Sequence, residues 1–166
     1  MLKVIVIGCP GAGKSIFARA LRDATDLPLH HLDQIWHKPD KSNISEEEFD
    51  ERLNQIIQGE KWIIDGNYQR TLEVRLAACD TVFLLDYPLE VCLAGAQSRI
   101  GTKREDLPWV ETEFDEEFKQ WITDFPKAQL PKIYELLERH REGKDIFVLK
   151  SRTETEQYLN CISGIA

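Results

Sequence analysis

The sequence predicts an α/β fold: a five-stranded parallel sheet buried between two layers of helices. Three observations predict it. Short apolar runs recur five times and alternate with stretches of helical periodicity. The first run leads directly into Gly8-Cys9-Pro10-Gly11-Ala12-Gly13-Lys14-Ser15, which fits G-x-x-x-x-G-K-[ST] at every fixed position. Three of the runs end on an acidic residue, Asp33, Asp65 or Asp86, at the strand ends where parallel sheets bind ligands.

The glycine-rich stretch defines a P-loop NTPase, a three-layer αβα sandwich. Gly8, Gly11 and Gly13 permit backbone angles that side chains forbid, so the loop can turn its N–H groups inward as an anion nest. The next helix points its positive end at the same place. Lys14 adds a full charge for the β- and γ-phosphates, and the Ser15 hydroxyl is a ligand for Mg²⁺. Gly8, Pro10, Gly11, Ala12, Gly13, Lys14, Ser15 and Ile16 are the expected cradle for the phosphates of ATP.

The elements follow in order. Residues 2–7 are the first strand, and Ile16, Phe17, Ala20 and Leu21 recur at helical spacing behind the loop. Residues 29–32 form a second strand ending at Asp33. Ser45-Glu46-Glu47-Glu48 is a capping box opening a helix along Phe49, Leu53, Ile56 and Ile57, which Gly59 ends. Residues 62–65 are the third strand, 66–70 a loop, and 71–78 a short helix. Residues 81–85 are the fourth strand, and Pro88 stands in the first turn of a helix over 89–100. Residues 101–113 are polar and broken by Gly101 and Pro108. Phe114, Phe118, Trp121, Ile122 and Phe125 then line a helix, with Trp121 expected in the core beside Trp62. A second helix spans 130–141, and Gly143 stops it. Residues 146–149 are the fifth strand, and Thr153, with Glu156 three residues on, caps the last helix.

Asp65-Gly66-Asn67-Tyr68-Gln69-Arg70-Thr71 resembles the D-G-F-P-R-T signature of adenylate kinases. Cys79 to Pro88 resembles the strand and proline-capped helix that follow it there. Over nearly the whole chain the sequence resembles the small adenylate-kinase-like proteins called DNA topology modulation proteins (FlaR-related). The matching residues include Gly8 to Ser15, His31-Leu32-Asp33 with Trp36, Asp65 to Tyr68, Arg75, Lys103 to Asp106 and Leu149 to Arg152 with Glu154. The resemblance implies an adenylate-kinase-like arrangement within one domain. Its core is 1–33, 60–100 and 143–166, its acceptor-binding segment 34–59, and its lid with the following helices 101–142.

It also implies roles. Asp65 would hold Mg²⁺ together with Ser15; the bland account is an Asp capping the Gly66-Asn67 turn. Asp33 would meet the acceptor hydroxyl, as a base or an orienting group. Phosphoryl transfer needs cations beyond Lys14. Arg99, Lys103 and Arg104 supply them at the lid, with Arg99 and Arg104 counted as catalytic. Arg70 and Arg75 are candidates on the acceptor side, with Gly66 and Asn67. Trp36, Tyr68 and Trp109 could stack a ring or pack the loops. Ser151 and Arg152 would lie by the adenine. Of His30 and His31, strand alternation buries one as a packed histidine.

A guanine-reading N/T-K-x-D element is missing: Thr102-Lys103-Arg104-Glu105 fails at its last position. The net charge of −8 weighs against a large nucleic-acid surface. Cys9, Cys79, Cys92 and Cys161 lack metal-ligand spacing. No apolar run has membrane-span length. The expectation is a cytoplasmic chain with no leader, monomeric or weakly dimeric. It would transfer the γ-phosphoryl of ATP, with Mg²⁺, to a nucleoside monophosphate or small hydroxylated metabolite. The alternative is an ATP-dependent regulatory switch with little turnover.

Overall fold

The computed structural model describes residues 1–164. Five strands form one all-parallel sheet: β1 (Lys3–Gly8), β2 (Leu29–His31), β3 (Trp62–Asp65), β4 (Thr81–Leu85) and β5 (Asp145–Leu149), in the order β2-β3-β1-β4-β5. Among the described residues eight helices accompany them: α1 (Lys14–Thr25), α2 (Leu32–Trp36), α3 (Glu46–Ile57), α4 (Gln69–Ala78), α5 (Leu89–Ser98), α6 (Glu116–Ala128), α7 (Leu130–Arg139) and α8 (Arg152–Ile162). The three inner strands are buried on both faces, as near-continuous apolar runs require. The outer strands β2 and β5 are only half-buried along most of their length.

The register sets the site. Gly8 pairs with Leu85, Val6 with Asp65, and His31 with Asp65, so the carboxyl ends of β1, β2, β3 and β4 open onto one edge. The loop after central β1 therefore lies at that edge, flanked by the ends of β3 and β4. This is the P-loop αβα sandwich.

Several boundaries differ from expectation. The second strand stops at His31, and Leu32 begins the five-residue helix α2, which carries Asp33 in its first turn. Leu32 is buried beneath Gly66, where an added Cβ would stand 2.9 Å from the leucine Cβ. The last helix is capped by Ser151 rather than Thr153. Ser151 Oγ accepts from Glu154 N at 3.2 Å, and Glu154 Oε2 accepts from Lys150 N at 2.8 Å. Two S/T-x-x-E patterns overlap there, and the extended residue, Ser151, caps. Ser45 caps α3, accepting from Glu48 N at 3.1 Å, while the Glu48 carboxylate pairs with Arg52. Trp121 is 47% exposed, not core. The seam of α6 closes on Ile122 and Phe125, with Phe118 at its margin, leaving 121 outside. Trp62 is fully buried, as expected.

Candidate active site

The loop between β1 and α1 has the conformation its glycines allow. Gly11 and Gly13 have φ of 85° and 91°. Gly13 is the N-cap of α1 and offers no side-chain acceptor, so the first N–H groups of the helix remain for an anion. Close packing fixes the loop from behind. A Cβ on Gly11 would lie 1.9 Å from Cys92 O, and one on Gly95 2.1 Å from Gly11 O. Helix α5 thus approaches the loop backbone to backbone.

A cavity of about 590 Å³ opens in front of the loop. Gly11, Ala12, Gly13, Lys14, Ser15 and Ile16 form its floor. Arg99, Lys103 and Arg104 line it from the 99–106 stretch, and Arg152 lines it from α8. Gly8, Pro10 and Ser151 do not line it. Gly8 is tied instead to Asn67: its N–H donates to Asn67 Oδ1 at 3.0 Å, and its carbonyl accepts from Asn67 Nδ2 at 2.8 Å. Ser151 caps α8, so of the pair expected near the adenine only Arg152 reaches the cavity.

Lys14 Nζ donates to Cys9 O at 3.2 Å. Burial pulls its ammonium pKa down, and the charges of Asp65 and Asp33 act against that. Asp65 ends β3 at 4% exposure. Its Oδ2 lies 2.7 Å from His31 Nδ1, while its Oδ1 is buried without a partner. A buried carboxylate oxygen left unpaired is costly. An oxygen of this kind, on a carboxylate whose charge acts on Lys14, fits a hydrated Mg²⁺, a hard cation that takes oxygen ligands and keeps its waters. Sequence reasoning missed the part of His31 in holding Asp65. The pairing of β2 with β3 creates it, and strand alternation alone gives no sign of it.

Asp33 Oδ1 accepts from Tyr68 Oη at 2.7 Å. Burial pushes the Asp33 carboxyl up, and the tyrosine bond opposes the shift. Tyr68 sits at φ 36°, ψ 67°, left-handed for a bulky residue, and stacks on Phe49 with ring centroids 5.2 Å apart. Trp36 packs edge-on to both, at 5.6 Å from Phe49 and 6.4 Å from Tyr68. These rings form one aromatic cluster that joins α2, α3 and the residue capping α4.

The arginines expected on the acceptor side, Arg70 and Arg75, are not free. Arg70 forks onto Asp50 at 2.7 and 2.8 Å. The reading of Arg75 as a substrate cation is corrected. Arg75 is fully buried and donates to the carbonyls of Gly66, Asn67, Tyr68 and Thr71. It holds the loop that carries Gly66 and Asn67. Burial works against its charge, and the carbonyl dipoles offset that cost.

Across the cavity, residues 99–115 form a charged network. Arg104 forks onto Asp106, with Nε donating to Oδ1 at 3.1 Å and Nη2 to Oδ2. Its Nη1 donates to Glu111 Oε2 at 2.6 Å. Arg99 Nε lies 3.2 Å from the same oxygen, close enough for charge pairing but not aligned as a hydrogen bond. Its guanidinium stands 5.3 Å over the Phe118 ring. Asp106 in turn accepts from Ser15 Oγ at 3.0 Å. Glu111 is not singled out by the sequence, and Asp106 enters there only as the end of the Lys103 to Asp106 stretch that carries the resemblance, with no role attached. An acid two residues from an arginine reads as a solvated pair until the fold buries it.

No family model matches the sequence, and no curated protein is similar to it. The fold and loop define a P-loop αβα architecture, which solved structures share. Similar folds include shikimate kinase from Acinetobacter baumannii in complex with shikimate, at TM-score 0.59 and 18% identity, covering 99% of this chain and 94% of that one. Shikimate kinase from Bacteroides thetaiotaomicron matches at TM-score 0.56 and 16% identity, covering 99% and 97%. A sugar kinase from Janibacter sp. matches at 0.52 and 18%, covering 98% and 94%. At these identities the likeness is one of fold.

Proposed function

We propose that this chain is an ATP-dependent kinase acting on a small hydroxylated acceptor, either a nucleoside monophosphate or a hydroxylated metabolite. One observation carries the reading: Asp33 receives a hydroxyl, that of Tyr68, at 2.7 Å while its charge acts on Lys14. An acceptor hydroxyl presented to Asp33 would lie beside the phosphate loop. Asp33 would orient it and take its proton as the oxygen–phosphorus bond forms. The loop N–H groups and Lys14 would hold the β- and γ-phosphates. Ser15 and Asp65 would hold Mg²⁺, which supplies neutralisation of the phosphate oxygens. Arg99, Lys103 and Arg104 would close over the cavity as a lid that excludes water. The kinase fold of the structural neighbours supports a phosphotransferase in general. The resemblance to DNA topology modulation proteins is compatible with it.

A coupled assay of ADP release, screened over nucleoside monophosphates, sugars and small hydroxy acids, tests the proposal. Acceptor-dependent turnover that Lys14→Ala abolishes is the expected result. ATP binding without turnover on any acceptor would favour the regulatory switch. Turnover in Lys14→Ala equal to the parent would overturn the site.

A further inference from the structure

The Ser15 hydroxyl carries one proton and two lone pairs. Its proton has a fixed destination, since Oγ donates to Asp106 Oδ2 at 3.0 Å. A hydroxyl held this way turns its lone pairs to everything else and becomes a better ligand for a hard cation. The carboxylate comes from the 101–115 stretch and not from the sheet. Asp106 is 2% exposed. Alone it would be an expensive buried charge, and the Arg104 fork compensates it.

The stretch that carries Asp106 is also anchored across the cleft. Gln34 Nε2 on α2 donates to Glu105 O. The His37 and Trp109 rings meet edge-on at 4.9 Å. The contact with Ser15 therefore requires this stretch to lie over the phosphate loop. It joins three things: the loop serine, the lid arginine and the acceptor-side helix α2.

We propose that Asp106 is a positioning residue for Ser15, and that its place on the lid makes lid docking and Mg²⁺ binding a single linked event. The proposal rests on reading the loop as a Mg²⁺–nucleotide site. The Asp106 oxygens are engaged by Arg104 and Ser15, so Asp106 acts through the serine and not on the ion. Linkage is reciprocal: by whatever factor the docked lid tightens Mg²⁺, bound Mg²⁺ favours the docked lid.

The test measures ADP binding by calorimetry, in EDTA and in excess Mg²⁺, with the full chain. The parent should bind ADP more tightly with Mg²⁺. Asp106→Asn should bind in EDTA within about twofold of the parent, yet lose roughly tenfold of the Mg²⁺ enhancement, a typical coupling between linked events. Asp106→Glu keeps a charge for Arg104 and guards against a folding defect; it should show the same selective loss with an unchanged melting temperature. In a Ser15→Ala background, Asp106→Asn should cause no further loss, because the pair acts as a unit. Trypsin cleavage after Lys103 should slow with Mg²⁺–ADP in the parent and not in Asp106→Asn. Full Mg²⁺ enhancement in both Asp106 variants, or additive losses with Ser15→Ala, would overturn the role of Asp106 alone. No ADP binding by the parent would instead overturn the nucleotide site.

Discussion

Asp33 is held between opposing influences. Burial favours its neutral form, and the Tyr68 hydroxyl favours its charged one. The folded-state pKa lies above the unfolded value, so the native chain binds the extra proton in the window between them, and stability falls as pH rises through it. Asp33→Asn should therefore raise the melting temperature at pH 7–8, with the gain fading as pH approaches the ordinary carboxylate range. Its turnover should fall by about 10²–10⁴-fold if the carboxylate takes the proton. A variant melting below the parent at pH 8 would contradict this. Tyr68→Phe removes the bond that lowers the Asp33 pKa, so the acid limb of the pH–rate profile should move to higher pH. Arg75 belongs at the same scale. Arg75→Met leaves part-buried carbonyls of the 66–68 loop and the buried Thr71 carbonyl unpaired, which should cost about 3 kcal/mol or more in urea unfolding.

Helix α5 and the phosphate loop act together. Gly95 sits inside the helix, where propensity alone favours alanine by about 1 kcal/mol. The structure reverses that preference, because the new Cβ would stand 2.1 Å from Gly11 O. Overpacking of this kind costs roughly 1–3 kcal/mol, and the atom that must move is loop backbone. Gly95→Ala should lower both thermal stability and nucleotide affinity, read by melting and calorimetry. Unchanged nucleotide affinity would show that the loop tolerates the displacement. On the other flank Asn67 pairs with both backbone groups of Gly8, tying the β3 loop to the start of the phosphate loop. Asn67→Ala should weaken nucleotide binding without any direct contact being lost.

The whole molecule places the loop at the middle of the sheet and the charged 99–115 stretch over it. Anything that binds this native edge should stabilise the whole fold. ADP with Mg²⁺ at about a hundred times its dissociation constant should add about 2.7 kcal/mol, visible as a rise in melting temperature that Lys14→Ala lacks. Among the described residues, no helix is long and apolar enough to cross a membrane. With a net charge of −8, duplex DNA at low salt should produce no mobility shift, since counterion release needs a basic face.

The sequence by itself determined the strand–loop–helix unit at Gly8 to Ser15, the five strands, and the acids at Asp33 and Asp65. These are local patterns, written in periodicity and in residues that few other conformations accept. Tertiary structure decided what each charge faces. Arg75 reads as a candidate cation for the acceptor and is buried beneath loop carbonyls. Asp106 carries no assigned role in the sequence and meets the phosphate-loop serine 91 residues away along the chain. His31 meets Asp65 only because β2 lies beside β3. Pairing between distant elements sets the dielectric around a side chain and the partner it finds, and neither is encoded in its neighbours in sequence.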